Sequence, residues 1–139
     1  MSILARLLAA VDRVRAPETA HAHCDLPCGV YDPAQARIEA DSVKATIEKY
    51  HESKDETFRQ RAVVIKEERA DLVKHHLWVL WTDYFKPEHL EQYPDLHKLF
   101  WEATKAAGAS KKSLDTADAQ KTLDLIAEIE KIFWETKKA

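Results

Sequence analysis

The sequence predicts an all-α fold, an antiparallel four-helix bundle with an irregular N-terminal hook, and three observations carry that expectation. Gly and Pro together number only 7 of 139 residues, too few to punctuate a many-stranded sheet, while Ala, Leu, Glu and Lys are abundant. Apolar residues recur at spacings of three and four in four separate stretches. The connections between those stretches are short, which favours antiparallel neighbours. At 139 residues, 45% hydrophobic and 32% charged, the chain is one domain that can bury an ordinary core.

Residues 1 to 22 do not belong to that pattern. A short apolar stretch, 3 to 11, is interrupted by Arg6 and cut short by Asp12, and the segment ends on Ala20-His21-Ala22, a small-residue site of the kind at which leaders are cleaved. It reads as a removable leader rather than a clean export signal, the alternative being an amphipathic helix that stays on the protein. The hook, 23 to 32, has no helical period and holds one of the five prolines and one of the two glycines.

The bundle domain spans 33 to 139. Asp32, Pro33 and Gln35 make a strong helix start, because Asp caps free amides and Pro suits the first helical position. Helix one then runs from about 33 to 52 with the stripe Ala36, Ala40, Val43, Ile47 and Tyr50. Helix two, about 55 to 84, is expected to turn Phe58, Ala62, Ile65, Leu72, His76 and Leu80 inward, and Pro87 ends it. Pro94 opens helix three, with Leu96, Leu99, Phe100, Ala103 and Ala107 inside and Gly108 as its C-cap, followed by a loop over 109 to 113. Helix four starts between 113 and 116 and buries Ala119, Leu123, Ile126, Ile129 and Phe133, with Lys137 and Lys138 at the end its dipole favours.

Several polar residues fall where apolar ones are expected. Glu39 and Arg69 lie on or beside the stripes of helices one and two. They form either an ion pair, able to orient an imidazole from the hook, or two solvated stripe edges. His75 and His76 cannot both face inward, and neither has metal-ligand spacing with another His. Trp78, Trp81, Trp101 and Trp134 are expected in the core or at subunit contacts. With 21 basic against 24 acidic residues and no basic groove, a nucleic-acid surface is not expected. No apolar run approaches the roughly 20 residues that span a bilayer.

Cys24 and Cys28 are the only cysteines, and their spacing alone suits a disulfide, a zinc half-site or a redox pair. Removing the leader after Ala22 changes the donor set. The free amine of His23, the amide nitrogen and thiolate of Cys24 and the thiolate of Cys28 then form a planar N2S2 set, with the His23 imidazole available above the plane. Zinc prefers a tetrahedron and thiolates tend to reduce Cu(II), so this set selects nickel and makes a +2/+3 cycle accessible.

The segment HCDLPCGVYDPAQARIEA, 23 to 40, closely resembles the mature amino terminus of the nickel-containing superoxide dismutase family, whose signature is HCxxPCGxY. The resemblance continues through VIKEERADL (64 to 72), KHHLWVLWTDYFKP (74 to 87) and KIFWETKKA (131 to 139), and so covers essentially the whole chain after the leader. It implies a cytoplasmic enzyme that disproportionates superoxide to oxygen and hydrogen peroxide through a Ni(II)/Ni(III) cycle. It also implies a homohexamer with one nickel per subunit, matured by a dedicated protease and needing neither nucleic acid nor membrane. Carried over by residue, the metal-binding hook supplies His23 (amine and axial imidazole), Cys24 (amide nitrogen and sulfur) and Cys28 (sulfur). Glu39 holds the axial imidazole and pairs with Arg69, Tyr31 and Tyr84 limit access and order water, Asp25 and Pro27 shape the hook, and Lys86 attracts the anionic substrate. A rival expectation is a non-catalytic helical metal carrier or interaction protein, and a third is a bundle with an ordinary Cys24-Cys28 disulfide.

Overall fold

The structure, a computed structural model, describes residues 29–138. Four long helices form the bundle: α1 (Ala34–Glu52), α2 (Glu56–Val79), α4 (Leu96–Lys112) and α5 (Thr116–Lys138). Each packs on two others in a closed ring, α1 on α2, α2 on α4, α4 on α5 and α5 on α1. A π-helical turn, Leu80–Tyr84, extends α2, and a short helix α3 (Pro87–Gln92) links it to α4. Among the described residues no helix is long and apolar enough to cross a membrane.

Local chemistry accounts for the helix starts. Asp32 Oδ1 accepts from the Ala34 N–H at 2.8 Å, as its place before Pro33 predicts, whereas Gln35 Oε1 finds no partner and closes no capping box. Asp55 caps α2 through the Thr57 N–H at 3.0 Å, and Asp115 does the same for α5 through the Ala117 N–H at 2.8 Å. Lys86 is extended ahead of Pro87, as a residue before proline must be, and Pro87 opens α3, an element the periodicity did not indicate.

Small side chains let the helices approach. Ala36, Ala40, Ala70, Ala103, Ala107 and Ala119 are all essentially inaccessible, and the larger Val73, Leu77, Leu80, Leu96, Phe100, Ile126, Ile129 and Phe133 fill the space between them. Burying each such large side chain contributes about 1.5–3 kcal/mol. The stripes expected on α1, α4 and α5 are largely the ones observed, with Tyr50, Leu99 and Leu123 at their half-buried margins.

Helix α2 differs. Its buried line is Ala62, Lys66, Ala70, Val73, Leu77, Val79 and Leu80, while Phe58 and Ile65 are exposed and Leu72 and His76 only half-buried. The inward face is therefore rotated by about one residue from the expected one, because a lysine occupies a core position and two apolar residues point to solvent. His75 is exposed and its ring meets that of His76 at 5.5 Å. Trp78, Trp101 and Trp134 are likewise exposed rather than core, and only Trp81 packs inward, on Phe100 and His97.

The third long helix also corrects the expectation. It runs through Gly108 to Lys112, so Gly108 is not its C-cap and 109 to 112 are not loop. A glycine inside a helix costs about 1 kcal/mol relative to Ala. Its place here is a close crossing: a Cβ at 108 would lie 3.3 Å from Lys74 Nζ.

The true end of α4 is held from across the bundle. Lys66, only 2% exposed, donates to Lys111 O at 2.5 Å and Ser113 O at 2.7 Å, satisfying carbonyls that a helix terminus leaves free. Burial pushes its pKa below the ordinary lysine value, against an opposing pull from Glu67. Lys66→Ala should cost about 3 kcal/mol, measured by urea unfolding, because it strands two carbonyls and opens a cavity. Lys66→Met, which fills the space without burying a charge, should cost clearly less. Equal losses in the two variants would show that packing, not the ammonium contacts, holds α4.

Candidate metal centre

The metal ligands expected from the sequence, His23, Cys24 and Cys28, lie outside the described residues, as do Asp25 and Pro27. Among the described residues no group of three or more His, Cys, Asp and Glu side chains is arranged to hold a metal ion. The donor chemistry of the hook itself suits nickel, since an amine, an amide nitrogen and two thiolates form a soft planar set. Residues 29 to 32 are not helical, and Gly29 has φ +72°, a left-handed conformation in which a side chain would be strained.

Packing of α1 on α2 brings Glu39 and Arg69 together. Arg69 Nη1 donates to Glu39 Oε1 at 3.3 Å and to Oε2 at 3.2 Å, so both carboxylate oxygens share one guanidinium nitrogen. The carboxylate is 17% exposed and the guanidinium 40%. Arg69 thus fixes the carboxylate from one side and leaves each oxygen able to accept a further hydrogen bond. The ion pair, rather than two solvated edges, is what the structure contains.

The second constellation is aromatic. The rings of Tyr31 and Tyr84 stand 5.6 Å apart, tilted by 56°. Tyr84 closes the π-helical turn, in which the Phe85 N–H donates to Leu80 O at 3.1 Å across five residues. Its ring packs on Phe133 at 4.4 Å and stacks on His89 at 5.8 Å, and its hydroxyl shares a 2.8 Å hydrogen bond with Thr136 Oγ1. Lys137 Nζ stands 5.0 Å from the ring centroid, within cation–π range.

Lys86 follows two residues later, exposed, at the start of α3. Its backbone N–H donates to His89 Nδ1 at 3.1 Å, which requires that ring nitrogen to carry no proton. Of the expected site residues, the structure therefore joins Glu39 to Arg69 and Tyr31 to Tyr84 and sets Lys86 beside the second pair. It adds Thr136, Lys137 and His89, which the sequence reading did not connect with Tyr84. No local pattern links positions 52 residues apart.

Comparison with known proteins accords with this arrangement. The family model for nickel-containing superoxide dismutase matches residues 18–137. Superoxide dismutase [Ni] of Streptomyces seoulensis is 64% identical over 130 residues, covering 93% of this chain and 99% of the relative. The protein of the same name from Streptomyces coelicolor is 62% identical over the same coverage. A native nickel superoxide dismutase structure superposes with a TM-score of 0.83 at 65% identity, spanning 84% of this chain and 100% of that one. A structure with the nickel ligation of the oxidised state gives 0.82 at 68% identity over the same shares. This chain, with its ion-paired Glu39 and its packed Tyr84, belongs to the nickel-containing superoxide dismutase family.

Proposed function

We propose that nickel is held by His23, Cys24 and Cys28 after residues 1 to 22 have been removed, and that the ion-paired carboxylate of Glu39 orients the His23 imidazole. The observation that carries this reading is the Glu39–Arg69 geometry: a mostly buried carboxylate, fixed on one side, with acceptor capacity to spare. Whole solved relatives correspond to 84% of this chain, whereas the Streptomyces seoulensis alignment extends over 93% of it, which supports a leader absent from the solved chains. In its own host the chain is cut by a maturation protease, assembles as a homohexamer with one nickel per subunit, and acts in the cytoplasm. The interrupted apolar stretch of the leader supports retention rather than export.

Bound nickel supplies a one-electron couple, so that one superoxide gives up an electron and leaves as oxygen while a second gains one and leaves as hydrogen peroxide with two protons. The chain does the rest. Arg69 holds Glu39, and Glu39 accepts from the imidazole N–H to fix its rotation and tautomer. Tyr31 and Tyr84 narrow the approach to the hook, and the Tyr84 hydroxyl, tied to Thr136, provides a fixed point for an ordered water. Lys86 supplies a local positive field in a chain whose formal charge is −3 and becomes −4 once a leader of net +1 is gone.

Native mass spectrometry of protein matured in its own host tests the assembly of these parts. The expected spectrum is a hexamer of chains beginning at His23, each with one nickel; an active sample of uncleaved chains would overturn the amine-ligand site. Glu39→Ala should lower the dismutation rate about 10- to 100-fold with nickel retained, and a wild-type rate in that variant would reject the contact with the imidazole. Lys86→Ala should slow the reaction at low ionic strength and flatten its decline with added salt. An unchanged salt profile would remove Lys86 from substrate attraction.

A further inference from the structure

Helix α2 carries a second apolar line that the bundle does not use. Its inner face is filled by Ala62, Lys66, Ala70, Val73 and Leu77. On the other side Phe58 is 40% exposed, Val64 59% and Ile65 39%, and Leu72 is half-buried. Phe58, Ile65 and Leu72 follow one another at seven-residue intervals, which lays them along one line of the helix. Gln60, Arg61, Val64 and Ile65 enclose a shallow depression of about 350 Å³ there. Single exposed apolar residues need no explanation, but an aligned set on a helix that already has a filled inner face does.

The charges flanking this line have a particular symmetry. Arg61 stands one turn before its centre and Glu68 one turn after, both exposed, and among the described residues neither takes part in a salt bridge. A two-fold axis passing between positions 64 and 65 exchanges 61 with 68. It sets Val64 and Ile65 against their own copies and brings Phe58 to the turn that holds Leu72. An isologous contact needs this kind of self-complementarity, an apolar centre with opposite charges equidistant from it. An unrelated partner would not require it.

We propose that this face of α2 docks antiparallel on the same face of a second copy of the chain, with Arg61 of each opposite the partner's Glu68. The inference rests on the homohexamer reading and adds to it a surface and a symmetry. Arg69, one turn beyond Ile65, ties the contact to the helix that also fixes Glu39.

Sedimentation velocity on the matured nickel-loaded enzyme, with helical circular dichroism as the folding control, tests the proposal. Arg61→Glu and Glu68→Arg each place like charges opposite one another, and each should raise the dissociation constant of the assembly about a hundredfold. The double variant Arg61→Glu/Glu68→Arg should restore wild-type assembly, a rescue that a merely disruptive surface change would not give. Ile65→Asp should dissociate the contact without loss of helicity. Wild-type mass in Ile65→Asp and in both single reversals would overturn this contact, leave the assembly reading intact and assign the face to a different protein. A wild-type enzyme that is monomeric at all concentrations would overturn both.

Discussion

The contact on which the rest depends is the alanine-lined seam between α1 and α2. Ala36, Ala40 and Ala70 expose essentially nothing, so these helices meet with little side chain between their backbones. Close approach brings a glutamate on one helix within reach of an arginine on the other, although the carboxyl group has only two methylenes behind it. Larger residues along the seam would move Glu39 away from Arg69 before they disturbed any single hydrogen bond. The same economy recurs at Ala103, Ala107 and Ala119, which complete the ring of four helices. The metal hook itself contributes no bulk to this scaffold, whose core is closed by aliphatic and aromatic groups alone.

Much of this was legible in the sequence, and the parts that were not have physical causes. Helices α1, α4 and α5 carry a single apolar stripe each, so period and orientation coincide. Helix α2 carries two, and a lysine sits in the inner one. Counting Lys66 as solvent-facing selected the wrong line, because the acceptors that make its burial tolerable come from the end of another helix, 45 and 47 residues away. Gly108 was misread for a similar reason: its role is set by Lys74, far along the chain. The hook was legible through its resemblance to a family, since CxxxC by itself left several chemistries open. Glu39 and Arg69 were legible as misplaced charges, and only packing shows that they meet.

Electrostatics in this molecule are local rather than global. The chain is acidic as a whole, yet the aromatic pair formed by Tyr31 and Tyr84 has Lys137 over one ring and Lys86 two residues further on. An anion approaching within a Debye length, about 8 Å at physiological ionic strength, responds mainly to these ammonium groups. Tyr84 is constrained on several sides, by Phe133, by His89 and by the hydroxyl of Thr136. A residue so restrained keeps its position when solvent and substrate exchange around it.

The π-helical turn at Leu80–Tyr84 also bears on how such a chain tolerates insertions and deletions. It accommodates one residue more than an α-helical turn would, and it lies between the part of α2 that builds the core and the aromatic residues that follow. Loss of one residue there would let the helix run on in regular register with its buried line through Leu77 undisturbed. Everything after it would turn by about 100° about the helix axis. Tyr84 would leave Phe133 and Thr136, while the fold upstream stayed as it is. In this stretch a change in chain length is therefore a change in the site rather than in the scaffold, and lineages that keep the tyrosine in place must keep the length as well.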